Sequence, residues 1–380
     1  MNMIHNKKIA IVGGGPGGLT LARLLQLRGA TVNVYEREIN SEARDQGATL
    51  DLHEESGLRA IREAGLMDAF LANYRPGAEK VRIMDKNAQI IWDDRTNETD
   101  EIARPEIDRG PLKRILLDSL QPGTVVWNSH FTALSPQNGS WKLTFQNGTS
   151  AVADLVIAAD GANSKIRPYI TSIKPVYSGI TIVEGVVYNS EAASPTVHAL
   201  LNGGKIFAMG DEKTLIVSSK GDGSLAFYTG CKTNEHWSRE SGLDFSDKAQ
   251  VLAWFKDEFS GWDSVWQELF DKANSPLVPR PQYLMPLDQT WQTLPTLTML
   301  GDAAHLMPPY AGEGVNMAMW DAVELSNCLD SDEFPDLLSA ITAYETQMRL
   351  RASNAAAATL ESTASLHSPD AISYFTQLIS

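Results

Sequence analysis

The chain has little cysteine: only Cys231 and Cys328 occur among 380 residues, and they stand far apart in sequence. This excludes a disulfide framework, a C-x-x-C redox pair and a paired C-x-x-C zinc site, and leaves reduced thiols with a packing role as the expectation. Positive charge is also scarce, with 32 Lys and Arg against 47 Asp and Glu and a formal net charge of -15. Nucleic acid and anionic membrane both call for a basic face, so neither is expected as a partner. No stretch approaches the roughly 18 uninterrupted apolar residues of a membrane span. The opening MNMIHNKK lacks the apolar core of a signal peptide, which makes a cytoplasmic location the expectation. H-E-x-x-H, G-x-S-x-G and the Walker loop are all missing, and their chemistries with them.

What is present suits a large soluble fold. Hydrophobic residues make up 43% and charged residues 21%, ample for a sizeable core, and the length implies two or three domains. The most informative stretch is Lys8 to Arg37, KIAIVGGGPGGLTLARLLQLRGATVNVYER. A short apolar strand runs into Gly13, Gly15 and Gly18, which fit G-x-G-x-x-G. The first glycine permits a tight turn, the second lets a pyrophosphate approach the backbone, and the third lets helix and strand pack closely. The helix start then offers free N–H groups to phosphate. Glu36 closes the second strand where an acid would meet a ribose hydroxyl, followed by Arg37. The pattern predicts a dinucleotide site and does not choose between FAD and NAD.

Arg44 and Asp51 flank Gly47 in the polar connection that follows, as candidates for cofactor contact. The segment from Val81 to Trp92 looks like a strand pair. From Asp108 a helix carries Leu112, Ile115, Leu116 and Leu120 on one face. Arg109 sits just inside its start, against the helix dipole, which suggests a nearby anion. Strands are expected at 124–127, 141–145 and 151–159, with Asn138-Gly139 and Asn147-Gly148 as hairpin turns. The last of these ends on Asp160-Gly161, as a parallel strand delivering polar groups to a ligand would. Between Tyr177 and Tyr283 the pattern becomes antiparallel, with SGITIVEGVVY, TVHALL, KIFAMG, TLIVSS and SLAFYTG all read as strands. Two aromatic amphipathic helices follow, whose Trp and Phe stripe is expected to be core. A buried strand then ends on Gly301-Asp302 and leads through a Pro- and Gly-rich loop, with His305 as a packing or hydrogen-bonding residue, into a helix near Val315. Beyond Pro335 a long Ala-rich helix is expected, without chemistry of its own.

The motifs GGGPGGLTLARLLQLRGATVNVYER, DLVIAADGANSKIR and TMLGDAAHLMPPYAGEGVN, in that order, resemble the FAD-dependent aromatic hydroxylases of the para-hydroxybenzoate hydroxylase type. Within them, GATLDLH, PEIDR and FSGWDSVWQELF look most like the tetracycline-inactivating monooxygenases. The resemblance implies an α/β fold: a Rossmann-like FAD-binding domain with an inserted mixed or antiparallel sheet for substrate and a C-terminal helix. The boundaries would be 1–80, 105–176 and 285–330 for the FAD domain, 81–104 and 177–284 for the substrate domain, and 331–380 for the helical end.

It implies bound FAD, transient NADPH, O2 and a small aromatic substrate, acting in a monomer. Hydroxylation would proceed through a flavin C4a-hydroperoxide, with tetracycline-type antibiotics as the leading substrate. The alternatives are a simpler phenol or secondary metabolite, or a non-catalytic redox sensor. Carried over by position, Gly13, Gly15, Gly18 and Glu36 face the ADP half, and Arg44 serves NADPH. Asp51 and Arg109 touch the flavin, while Asp160 and Gly161, with Ser164 and Arg167, serve both cofactors. Asp302 holds the ribityl chain, and Pro308, Gly312, Gly314, Val315 and Asn316 run along the ring. Glu184, Lys205 and Ala226 stand where the tetracycline enzymes have glutamine, arginine and histidine, and Phe207 joins them as a substrate candidate. Ala226 departs from that pattern by lacking a hydrogen-bonding group. No catalytic acid or base is assigned.

Overall fold

Lys8–Val12 is buried on both faces from Ile9 onward, and it pairs in parallel with Thr31–Tyr35 on one side and Leu155–Ala158 on the other. Such double coverage suits its unbroken apolar run. Leu297–Met299 and Val125–Val126 complete a five-stranded parallel sheet in the order Leu297–Met299, Leu155–Ala158, Lys8–Val12, Thr31–Tyr35, Val125–Val126. The computed structural model describes residues 3–42, 49–94, 104–274 and 276–379. Three segments far apart in sequence therefore deliver their carboxyl ends side by side.

Helix Pro16–Leu27 covers this sheet and lies against helix Glu313–Asp330, so closely that a Cβ at Gly17 would sit 2.9 Å from the Ala318 carbonyl oxygen. Phe131–Gln137, Ser140–Phe145 and Ser150–Ala153 form an antiparallel annex. Its first turn has positive φ at both Asn138 and Gly139, the backbone that Asn-Gly favours. The run 151–159, expected as one strand, is two strands in two sheets. Asp154 divides it, its carboxylate accepting the Lys8 N–H and the Ser140 hydroxyl, each at 2.8 Å.

A seven-stranded mixed sheet forms the second layer, in the order Val278–Leu284, Val176–Val187, Leu225–Lys232, Lys213–Ser219, Lys205–Gly210, Val81–Asp85, Ile90–Asp93. Neighbours are antiparallel except Lys205–Gly210 with Val81–Asp85. TVHALL is not a strand. Pro195 opens a helix, Pro195–Leu201, that closes on Asn202 at φ 45, and Val197 and Leu201 bury one face at helical spacing. One face of the sheet packs on helices Lys248–Glu258 and Gln267–Lys272, with Phe255 stacked on Phe270 at 4.0 Å, so the aromatic stripe is core. Helix Leu337–Leu366 starts from a capping box of Asp336 and Ser339 and packs along helix Glu313–Asp330. Helix Ala371–Ile379 then returns to the other face of the sheet, where Phe375 meets Phe207 at 4.7 Å. Among the described residues no helix is long and apolar enough to cross a membrane.

Candidate functional site

The glycine turn assigns each glycine a different task. Gly13 has φ +113, and a Cβ there would lie 2.1 Å from the Ala159 carbonyl oxygen. A Cβ at Gly18 would lie 2.2 Å from the Gly13 carbonyl oxygen, so this residue brings the helix down onto the strand. Gly15 is extended, at φ -76 and ψ 176, and caps helix Pro16–Leu27 with nothing within 4 Å of a Cβ. A side chain there would point into open space beside the turn. Glu36 accepts the Gly14 N–H at 2.6 Å and the Glu38 N–H at 3.0 Å, which fixes its carboxylate at the lip of the turn. Arg37 points outward beside Glu38, at 3.6 Å. Arg44 lies outside the described residues.

Beside this turn, the strand Leu155–Ala158 ends at Asp160. One carboxylate oxygen accepts the Lys165 N–H at 2.8 Å, and the other is buried without a protein partner. Burial pushes its pKa up, against the pull of the Ser164 hydroxyl and backbone N–H groups. Gly161 follows at φ +80. Buried Arg167 joins this turn to the next, donating to the carbonyls of Ala162 at 3.2 Å, Asp302 at 2.8 Å and Ala303 at 2.6 Å. Its guanidinium thus braces two strand ends.

Asp302 follows Gly301, at φ +59, and opens a short helix to His305. Burial raises the Asp302 pKa, opposed by the charges of His305, Arg109 and Arg167. His305 is buried with Nε2 at 2.5 Å from Asp321, whose carboxylate also takes the Gly301 N–H at 2.9 Å and Arg351 at 3.1 Å. Burial lowers the His305 pKa, but Asp321 overcomes it and leaves the pKa raised. This is a hydrogen-bonding histidine that stiffens the turn.

The loop after Pro308 reaches Gly312 at φ +70, where a Cβ would sit 3.0 Å from the Asp51 carboxylate. Helix Glu313–Asp330 begins at once, with Gly314 facing Asp302 and Val315 half-buried in its first turn. Asn316 is fully buried: its carbonyl accepts the His53 N–H at 2.9 Å, and its amide donates to Asp51 at 2.8 Å and Gly312 at 3.1 Å. Its side chain secures the loop. Burial raises the Asp51 pKa, but His53 at 3.1 Å and the charge of Lys205 outweigh it and leave it lowered.

Opposite stands the mixed sheet. Val183, Leu215, Val217, Phe227, Ile206 and Ala208 point to its helices, so strand alternation turns Glu184, Ala226, Tyr228, Ile216, Lys205 and Phe207 the other way. The sequence-derived substrate candidates do share one face. Glu184 is paired with Arg280, and Lys205 with Glu106, which is 1% exposed. Ala226 is wholly buried. Tyr228, Ile216 and Phe207, in register on adjacent strands, are half-buried. Sequence reasoning missed Tyr228 and Ile216, although their alternation with core Phe227 and Leu215 carried the signal. Arg109 starts helix Arg109–Asp118 and reaches solvent, yet protein around the guanidinium lowers its pKa, opposed by Tyr228, Asp302 and Glu184. One cation thereby senses both the strand ends and the sheet.

The cradle at Gly15, the orphaned Asp160 oxygen and the glycine loop into helix Glu313–Asp330 fit a dinucleotide with a flat ring. The profile of the family described as FAD binding domain matches residues 6–252 and 290–349. The chain belongs to this family of flavin-dependent monooxygenases.

Its relatives include Monooxygenase penA of Penicillium thymicola, 30% identical over 92% of this chain and 92% of penA. Another is 3-amino-4-hydroxybenzoate 2-monooxygenase PtmB3 of Streptomyces platensis, 28% identical over 91% of this chain and 85% of its own. Two solved structures share the fold at lower identity. HpxO of Klebsiella pneumoniae, solved with FAD and uric acid, has a TM-score of 0.76 at 22% identity and covers 100% of this chain and 92% of its own. Tetracycline destructase Tet(51) has a TM-score of 0.74 at 17% identity over 98% and 95%. The flavin monooxygenase is thus an FAD-dependent aromatic monooxygenase of the para-hydroxybenzoate hydroxylase type.

Proposed function

We propose that the enzyme takes electrons from NADPH and inserts one atom of O2 into a flat, fused-ring phenol or enol. The observation that carries this reading is the row Tyr228, Ile216, Phe207 on the sheet face turned towards the cofactor loop, closed at the Phe207 end by Phe375 and with Arg109 at its polar end. Neighbouring strands stand about 4.8 Å apart, so the row extends for about 9.5 Å. That length suits a fused ring system better than a single ring. Protein around the Arg109 guanidinium disfavours the cation, and a phenolate or enolate beside it would join the Asp302 and Glu184 carboxylates in favouring it.

Gly13, Gly15, Gly18 and Glu36 would hold the ADP half of FAD, with Asp160 and Gly161 beside it and Asp302 at the ribityl chain. Pro308, Gly312, Gly314, Val315 and the secured Asn316 would line the ring, with Asp51 and Arg109 next to it. Bound FAD supplies the oxygen chemistry, while the protein orients the ring, orients the substrate and excludes water. NADPH has no second glycine-rich domain here, so it binds transiently, with Arg44 assigned to it by resemblance.

Tetracycline-type antibiotics are the leading member of this class. Motif resemblance supports them, and the ion pairs of Glu184 and Lys205 leave polar groups on the sheet face. A simpler phenol is the second reading, favoured by PtmB3 and by the missing hydrogen-bonding group at Ala226. Incubation with FAD, NADPH, O2 and either tetracycline or a panel of one-, two- and three-ring phenols tests both. The expected product is a fused-ring compound heavier by one oxygen atom. Turnover of single-ring phenols alone would refute the substrate class, and ligand-independent NADPH consumption across the panel would refute hydroxylation.

A further inference from the structure

The loop into helix Glu313–Asp330 is gripped from two sides. On the side of the parallel sheet, Asn316 ties Gly312 to Asp51 and His53. On the other side Tyr310 leaves the same loop, in the turn Pro309–Ala311, and enters a buried polar cluster with Thr214, Gly230 and His367. These residues come from the loop, from two strands of the mixed sheet and from the end of helix Leu337–Leu366.

The cluster has a defined chemistry. His367 is fully buried, and its Nδ1 lies 2.7 Å from the Thr363 carbonyl oxygen, so Nδ1 carries the proton and donates. A neutral ring then presents Nε2 as an acceptor. Tyr310 OH and Thr214 Oγ1 each stand 3.4 Å from it, and the Tyr310 ring meets the imidazole edge-on at 5.1 Å and 80°. Burial holds the His367 pKa below its ordinary value, aided by Lys232 and opposed by the carbonyls of Thr363 and Gly230. Gly230 makes the meeting possible. A Cβ there would lie 2.3 Å from Thr214 Oγ1, 2.4 Å from Tyr310 OH and 2.5 Å from His367 Nε2.

We propose that Tyr310 and His367 form a clasp that positions the cofactor loop, making His367 a positioning residue that couples the C-terminal helices to the flavin. The inference rests on the assignment of that loop to FAD. With both anchors in place, the backbone N–H groups at Glu313 and Gly314 are held where the ring needs them before it arrives. With the Tyr310 anchor released, the loop must be ordered at the expense of binding.

The test uses the full chain, stripped of flavin and titrated with FAD, with flavin fluorescence and the visible absorption band as readouts. Tyr310→Phe keeps the ring and removes only the hydroxyl, and His367→Leu removes the acceptor. Each is expected to weaken FAD binding about threefold to tenfold. The double variant should bind no worse than the weaker single, because one contact is lost once. His367→Gln, whose amide oxygen reaches the place of Nε2, should restore most of the affinity. Unchanged affinity and band position in Tyr310→Phe, or additive losses in the double variant, overturn the clasp. If His367→Leu fails to fold, Tyr310→Phe decides alone. A wild-type chain that takes up no FAD overturns the cofactor assignment itself, whereas a wild type that binds beside indifferent variants overturns only the clasp.

Discussion

Replacing Gly15 by alanine should separate folding from cofactor binding. Gly15 lies at φ -76 and ψ 176, where any residue is comfortable, and no atom stands within 4 Å of the new methyl group. Alanine at a compatible site gains about 0.4–1 kcal/mol from the unfolded chain, and a poorer helix cap costs about the same, roughly 0.5–1 kcal/mol. The flavin-free variant is therefore expected to melt within a degree or two of wild type. In the complex, the methyl group occupies the approach of the pyrophosphate. Losing one or two charge-assisted hydrogen bonds, each about 1.5–3 kcal/mol, raises the FAD Kd roughly tenfold to ten-thousandfold.

Gly18→Ala is the contrasting change. Its Cβ meets the Gly13 carbonyl oxygen at 2.2 Å and the Ala159 Cβ at 3.2 Å, so backbone has to move. Overpacking of this kind costs about 1–3 kcal/mol or more, and Tm should fall by several degrees with or without flavin. Thermal unfolding of flavin-free protein and a fluorescence titration with FAD give both numbers. A Gly15→Ala variant that melts as low as Gly18→Ala, or that binds FAD within twofold of wild type, would refute the assignment of the cradle.

Lys205→Met leaves Glu106, 1% exposed, without its cation and is expected to destabilise the protein by roughly 3–5 kcal/mol in urea unfolding. Adding Glu106→Leu should recover much of that loss, and failure of the second change to help would show that the pair is not the cause. Asp302→Asn addresses the carboxyl whose pKa burial raises. An acid with a raised folded-state pKa binds its proton more tightly when folded, so its contribution to stability is lost as pH rises through that pKa. The flavin-free Asn variant should therefore be more stable than wild type at pH 7, with the advantage shrinking as pH falls towards the ordinary aspartate range. A variant less stable at pH 7 would contradict this sign.

The legible parts of the molecule were those in which local chemistry and fold agree. Lys8–Val12 and Leu155–Ala158 advertise themselves by apolar runs that stop on glycine or aspartate, and the α/β class follows from them. TVHALL misled because its valine and leucines suit either period, and Pro195 and Asn202, which decide it, lie at its margins. The run 151–159 misled because the division at Asp154 depends on partners in two other strands, Lys8 and Ser140. The Ala-rich helix looked inert for a related reason. Glu345 accepts from Trp291, Thr293 and Thr298, and Arg351 reaches Asp321, but each partner is remote in sequence.

The site shows the same division between what a motif can state and what only tertiary structure supplies. Each of the three turns is readable alone as a strand delivering polar groups, but a turn alone does not say which ligand it serves. Their meaning comes from adjacency. Gly13 is a glycine because Ala159 presses on it, and Arg167 holds the carbonyls of Ala162, Asp302 and Ala303 at once. A dinucleotide lying across these ends therefore meets a surface whose parts fix one another. Arg109 extends that logic to the sheet. It opposes its own helix dipole, and the carboxylates that favour it, Asp302 and Glu184, come from both layers. The cation thus joins the strand ends to the sheet face, which is why the proposed substrate is placed beside it.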